Sequence, residues 1–129
     1  MKKRFLTVAL SLVMGFGVAA SLASCGEGED KFKFGLTCLH DETSTYDKNF
    51  IDAARRAVEE VGLDADQFIM KTGIPELSEC KEAALDLVDQ GCDLIFADSF
   101  GHESFMKQAA QEFPNVQFCH ATGTSGKRA

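Results

Sequence analysis

The sequence predicts an α/β fold, a doubly wound parallel sheet with helices on both faces. Three observations carry the prediction. Four short apolar runs, at Phe32–Leu39, Phe68–Met70, Leu94–Ala97 and Val116–Cys119, have strand length and strand composition. Between them lie three stretches whose apolar residues recur at helical spacing. The connections are short, and such alternation sets parallel strands side by side through right-handed crossovers.

The chain begins with a positive Lys2-Lys3-Arg4 segment and an apolar stretch from Phe5 to Leu22, broken by Gly15 and Gly17. These are the parts of a secretory signal, and the stretch is short for a membrane-spanning helix. It ends in Leu22-Ala23-Ser24-Cys25, which resembles the lipobox of bacterial lipoproteins. That resemblance implies a signal peptide over residues 1–24 and a lipid anchor on Cys25. A plain signal peptide with an incidental cysteine, or an uncleaved anchor, is the competing reading. Residues 25–31 then form the lipidated cysteine and a short acidic tether.

Cleavage would leave 129 − 24 = 105 residues, enough for one small domain. The thirteen basic residues lose three with the signal and the twenty acidic ones lose none, so the net charge becomes 10 − 20 = −10. An acidic surface without a basic patch disfavours nucleic acid and anionic headgroups. Attachment to the membrane would therefore rest on the covalent lipid.

The first run, Phe32 to Leu39, is the first strand. From Phe50 the period changes: Phe50, Ala53, Ala54, Ala57, Val58 and Val61 make one helical stripe, and Gly62 supplies a stop. Phe68-Ile69-Met70 is the second strand. A helix follows Pro75, beginning near Leu77 or Ser78, with Cys80, Ala83, Ala84, Leu87 and Val88 as its stripe and Gly91 as its end. Leu94–Ala97 is the third strand. Phe105, Met106, Ala109, Ala110 and Phe113 form the last stripe, stopped at Pro114 before the fourth strand. Small alanines on each stripe let the helices lie close to the sheet. Residues 125–129 read as an unstructured tail.

Four cysteines remain after Cys25, and an even count in an exported chain invites a disulfide framework. Cys38 and Cys119 sit in apolar runs, however, and Cys80 lies on a helical stripe. Free, buried thiols fit that placement better.

Open parallel sheets bind ligands outside the carboxyl ends of their strands. The sequence puts His40 to Tyr46 there after strand one, Asp98 to His102 after strand three, and His120, Thr122 and Thr124 after strand four. All three histidines fall on this edge. Asp98, Ser99 and His102 are the types of a hydrolytic triad, but no Gly-x-Ser-x-Gly elbow surrounds the serine, and Ser99 reads better as a helix cap. "GTSGKR" lacks the first glycine of a phosphate loop and carries Arg128 where a hydroxyl is required. No enzyme and no cofactor is expected.

Cys38, His40, His102, Cys119 and His120 offer zinc-type donors, but without ligand spacing. A small-molecule site remains: Asp98 as acceptor for a pair of hydroxyls, and Tyr46, Phe50 or Phe100 as faces for a planar ring.

"HDETSTYDKNFIDAARRAVEEVG", "LVDQGCDLIFADSFGHE" and "FPNVQFCHATGT" resemble the basic membrane lipoprotein family, substrate-binding lipoproteins of ABC importers typified by purine nucleoside receptors. The likeness spans about Phe32 to Thr124. It implies that residues 32–124 are the first lobe of a two-lobe, type I periplasmic-binding-protein-like receptor that closes on a nucleoside. It also implies ABC permease subunits as partners and a lipid-anchored location on the extracytoplasmic side of the cell membrane. The resemblance places an acid near the ribose at Asp98, with Ser99 and Phe100 in the adjoining loop. It makes Tyr46, Asn49 and Phe50 candidates on the first helix, and puts His120 on the fourth-strand loop. Family members run about three times longer, so a truncated chain is expected, with one lobe and an uncovered sheet edge. The alternatives are a small metal- or thiol-dependent lipoprotein and a fragment that binds nothing.

Overall fold

A computed structural model describes residues 31–125. The expected signal peptide and lipidated Cys25, nearly all of the expected tether and residues 126–129 lie outside the described residues. Four strands, β1 (Phe34–Thr37), β2 (Phe68–Lys71), β3 (Leu94–Ala97) and β4 (Gln117–His120), alternate with helices α1 (Thr45–Val61), α2 (Ser78–Asp89) and α3 (Glu103–Glu112). Short 3₁₀ turns at Ala65–Gln67 and Phe100–His102 lead into β2 and α3. The sheet is all-parallel, as the alternation predicts, and its order is β2-β1-β3-β4. Among the described residues no helix is long and apolar enough to cross a membrane.

The pleat divides the core. Ile95 and Ala97 of β3 join Cys80, Ala84 and Leu87 of α2 and Met106 and Ala109 of α3 in one buried cluster. Leu36 and Cys38 join Ile51 and Ala54 of α1 in the other, with Phe34, Phe68, Met70 and Phe96 packed against it. Alternate strand residues thus serve opposite faces. Gly35 marks a close approach of α2 to the sheet: a Cβ there would stand 3.0 Å from Leu87 Cδ1 and 3.2 Å from Cys92 Sγ.

The predicted stripe of α2 is the buried one, with Cys80, Ala83, Ala84 and Leu87 all inside. That of α1 is turned. Its buried residues are Asp47, Ile51 and Ala54, while Ala53 and Ala57 are exposed and Val61 is 68% exposed. Phe50, Ala53 and Ala57 instead line an open apolar groove with Phe34, Leu36 and Phe96. Gly62 ends α1 as predicted, at φ 72°, and its N–H reaches the carbonyls of Glu59 and Val58. Cys38, Cys80 and Cys92 are buried free thiols, and Cys119 is half-buried and also free.

Candidate functional site

Chain order reverses between β1 and β3, since β1 leads outward to β2 and β3 leads the other way to β4. The two connections that leave this switch point frame a crevice at the carboxyl ends of the strands. Each is organised by its own hydrogen bonds.

After β1, Asp41 folds the loop on itself, accepting the Thr43 N–H at 2.9 Å and the Thr43 hydroxyl at 2.5 Å. Ser44 then caps α1, accepting the Asp47 N–H at 3.3 Å and donating its hydroxyl to Asp47 Oδ2 at 2.5 Å. Asp47 Oδ1 accepts the His40 N–H at 2.9 Å, and His40 Nδ1 lies 3.2 Å from Oδ2. Asp47 is therefore wholly buried yet well supplied with donors. Burial opposes its ionisation, but the Ser44 hydroxyl and the His40 N–H outweigh it and hold the carboxyl at about 2.

After β3, Asp98 is also fully buried. Its Oδ1 accepts the Leu39 N–H at 3.2 Å, while Oδ2 has no hydrogen-bond partner. Burial, then the nearby Asp47 carboxylate, push Asp98 up to about 6. Cys38 lies beside both, its thiol raised well above the ordinary range by burial and by the same carboxylates. The next residue, Ser99, gives its hydroxyl to Glu76 Oε1, which also accepts the Gly101 N–H at 2.9 Å. Ser99 precedes the 3₁₀ turn without capping it through its side chain, contrary to the sequence expectation, because Glu76 has captured the hydroxyl. Glu76 is held below its usual value, first by that hydroxyl and then by the Gly101 N–H.

The aromatic candidates sit on the rim. Tyr46 is 46% exposed and donates its hydroxyl to the Asp98 carbonyl at 2.8 Å, and its ring lies 5.1 Å from that of Phe50. Phe100 is 60% exposed. His120, at the end of β4, brings Nε2 to 2.5 Å from the Ser99 carbonyl and so ties the third- and fourth-strand loops together. Asn49 is exposed but turns its amide back to the Thr45 carbonyl at 2.9 Å. A polar hollow of about 310 Å³ opens beside the β1 loop, lined by Leu39, His40, Asp41, Thr43, Thr72 and Gly73.

Tyr46, Asp98, Ser99 and Phe100 are thus brought together at the switch point, with His120 joined to them through Ser99. The Asp98 carboxylate faces Asp47 and Cys38 beneath the crevice rather than the open space above it. Sequence reasoning passed over Asp47 and Glu76. The Ser44-x-x-Asp47 spacing, a capping signature, was the available signal for the first. Of the five residues with zinc-type donors that the sequence offers at this edge, only Cys38 belongs to a metal-competent cluster among the described residues, together with Asp47 and Asp98. His102 is spent on the Ile74 carbonyl at 2.9 Å, and its burial lowers its proton affinity.

No protein-family model and no curated protein matches the chain. Solved structures do. An ABC transporter solute-binding protein from Conexibacter woesei DSM 14684 superposes with a TM-score of 0.57 at 16% identity, over 68% of this chain and 28% of that one. What the chain shares with it is the parallel α/β architecture. A transcriptional activator of the comK gene from Bacillus halodurans gives a TM-score of 0.62 at 17% identity, over 74% of this chain and 31% of that one. The chain matches only about a third or less of each structure's length. The same fold carries two differently described proteins, so the likeness speaks for architecture.

Proposed function

We propose that the chain is the first lobe of a lipid-anchored, extracytoplasmic substrate-binding component of an ABC importer, with a purine nucleoside as ligand. The observation that carries this reading is the switch-point rim: exposed Tyr46 is bonded to the Asp98 carbonyl and exposed Phe100 follows Ser99 in the same loop, so a planar base can lie against a ring. The three segments that resemble the basic membrane lipoprotein family support the nucleoside, and the fold shared with a solute-binding protein supports the transport role. Ribose hydroxyls would meet the polar hollow beside His40 and Thr43 and the carbonyls of the rim, since the Asp98 carboxylate is turned inward.

One lobe supplies one wall. A nucleoside there stays largely in water, and its hydrogen bonds only replace those to solvent, while the cost of immobilisation is met in full. The expected dissociation constant is therefore about millimolar, near −4 kcal/mol. Amide chemical-shift perturbation with millimolar inosine, guanosine or adenosine tests the reading. Shifts should concentrate on residues 40–46, 98–102 and 120–124. Shifts scattered elsewhere, or none, would sink it. Anchoring is tested separately in a bacterial host: Cys25→Ser should abolish lipid labelling and release the protein from membranes.

A further inference from the structure

We infer that Cys38, Asp47 and Asp98 form a site for a zinc-class divalent cation beneath the first turn of α1. Three elements deliver the three side chains: Cys38 directly follows β1, Asp98 directly follows β3, and Asp47 lies in the first turn of α1. All three are fully buried, and one donor atom of each lies within 4.8 Å of the other two. The second observation is Asp98 Oδ2, a buried carboxylate oxygen with no hydrogen-bond partner. Leaving such an atom unmatched is costly, and a cation aimed at it removes the cost.

Charge points the same way. Two carboxylates and a thiol share one dry compartment, and among the described residues no lysine or arginine is paired with either carboxylate. The groups that reach them are the neutral N–H and O–H donors of Leu39, His40 and Ser44, with the His40 ring at the solvent side. The donor set also selects the ion. Calcium and magnesium take oxygen ligands and avoid sulfur, whereas zinc accepts thiolate, imidazole and carboxylate in one tetrahedron. Tetrahedral bonds of about 2.0–2.3 Å bring ligand atoms to within about 4 Å of one another, a small contraction of the observed cluster. Binding releases the Cys38 proton, and any proton on Asp98, to solvent. The site is independent of the nucleoside reading, because its donors face away from the crevice.

Cobalt(II) titration of the chelator-stripped full chain is the test, since a cobalt–thiolate bond announces itself as a near-ultraviolet charge-transfer band. One equivalent of cobalt should develop the band, and zinc should erase it. Cys38→Ser should remove it, and the isosteric Asp98→Asn should weaken cobalt binding at least tenfold, with far-ultraviolet circular dichroism confirming that each variant is folded. If Cys38→Ser does not fold, Asp98→Asn decides alone. No band at millimolar cobalt, a band that survives Cys38→Ser, or unaltered affinity in Asp98→Asn overturns the site and leaves a carboxyl pair bridged by a proton.

Discussion

The two faces of the sheet are built from similar apolar stripes and end differently. On one face α2 and α3 pack side by side, and the stripe of α2 is consumed by contact with Leu94–Ala97 and its neighbours. On the other face α1 is the one helix among the described residues. Asp47, Ile51 and Ala54 go inward, and Phe50, Ala53 and Ala57 are left along an open groove. The finished face is wholly apolar at its centre, whereas the other carries two buried carboxylates at its upper end. Similar stripes are thus covered to different extents, because two helices share the first face and, among the described residues, one lies on the second.

Truncating one residue on each face gives the largest expected effect. Leu87→Ala should cost about 2–5 kcal/mol, because Leu87 is fully buried and a cavity remains behind it. Phe50→Ala removes a larger side chain but one already partly in water, and should cost about 1–2 kcal/mol. Urea denaturation of both variants measures the difference. Equal losses would mean that the groove is as well packed as the finished core.

The faces should also respond to pH with opposite sign. In metal-free protein Asp98 is raised from 3.8 to about 6, so the fold binds its proton more tightly than the unfolded chain does. That contribution is full below pH 3.8 and is lost as pH rises through about 6, on the order of 2–3 kcal/mol. Asp47, lowered to about 2, contributes fully across the same window. Asp98→Asn should flatten the fall in stability between pH 4 and 7; an unchanged slope would show that the carboxyl does not titrate there.

A smaller effect belongs to His102 on the finished face, whose burial lowers its pKa. Its contribution is present above the ordinary value of 6.5 and is lost as pH falls toward the depressed folded value. His102→Gln should remove that acid-side loss, at a cost of about 1 kcal/mol for the bond to the Ile74 carbonyl. Melting temperature against pH for both variants separates the two slopes.

Much of the framework was legible because its signals are local. Period and glycine stops placed β3 and α2 to within a residue or two, Pro114 closed α3, and strand alternation dictated that the sheet is parallel. The angular setting of α1 was not legible: an apolar stripe tells which residues avoid water, not which half of it the sheet covers. At the site, the strand-end position of Asp98 followed from the run before it. Its inward orientation did not, because Asp47 and Cys38, which create its surroundings, lie 51 and 60 residues earlier in the chain. Glu76 was missed for the same reason, since an exposed acid after Pro75 looks like any turn residue until Ser99 is folded against it.

Tyr46 has a use apart from recognition. It is the sole tyrosine, and the chain has no tryptophan. All intrinsic fluorescence beyond that of phenylalanine therefore comes from one ring, whose hydroxyl is bound to the backbone where β3 ends. Its emission reports on the place where α1 meets that junction, so quenching, lifetime and anisotropy can follow the crevice in the unlabelled protein.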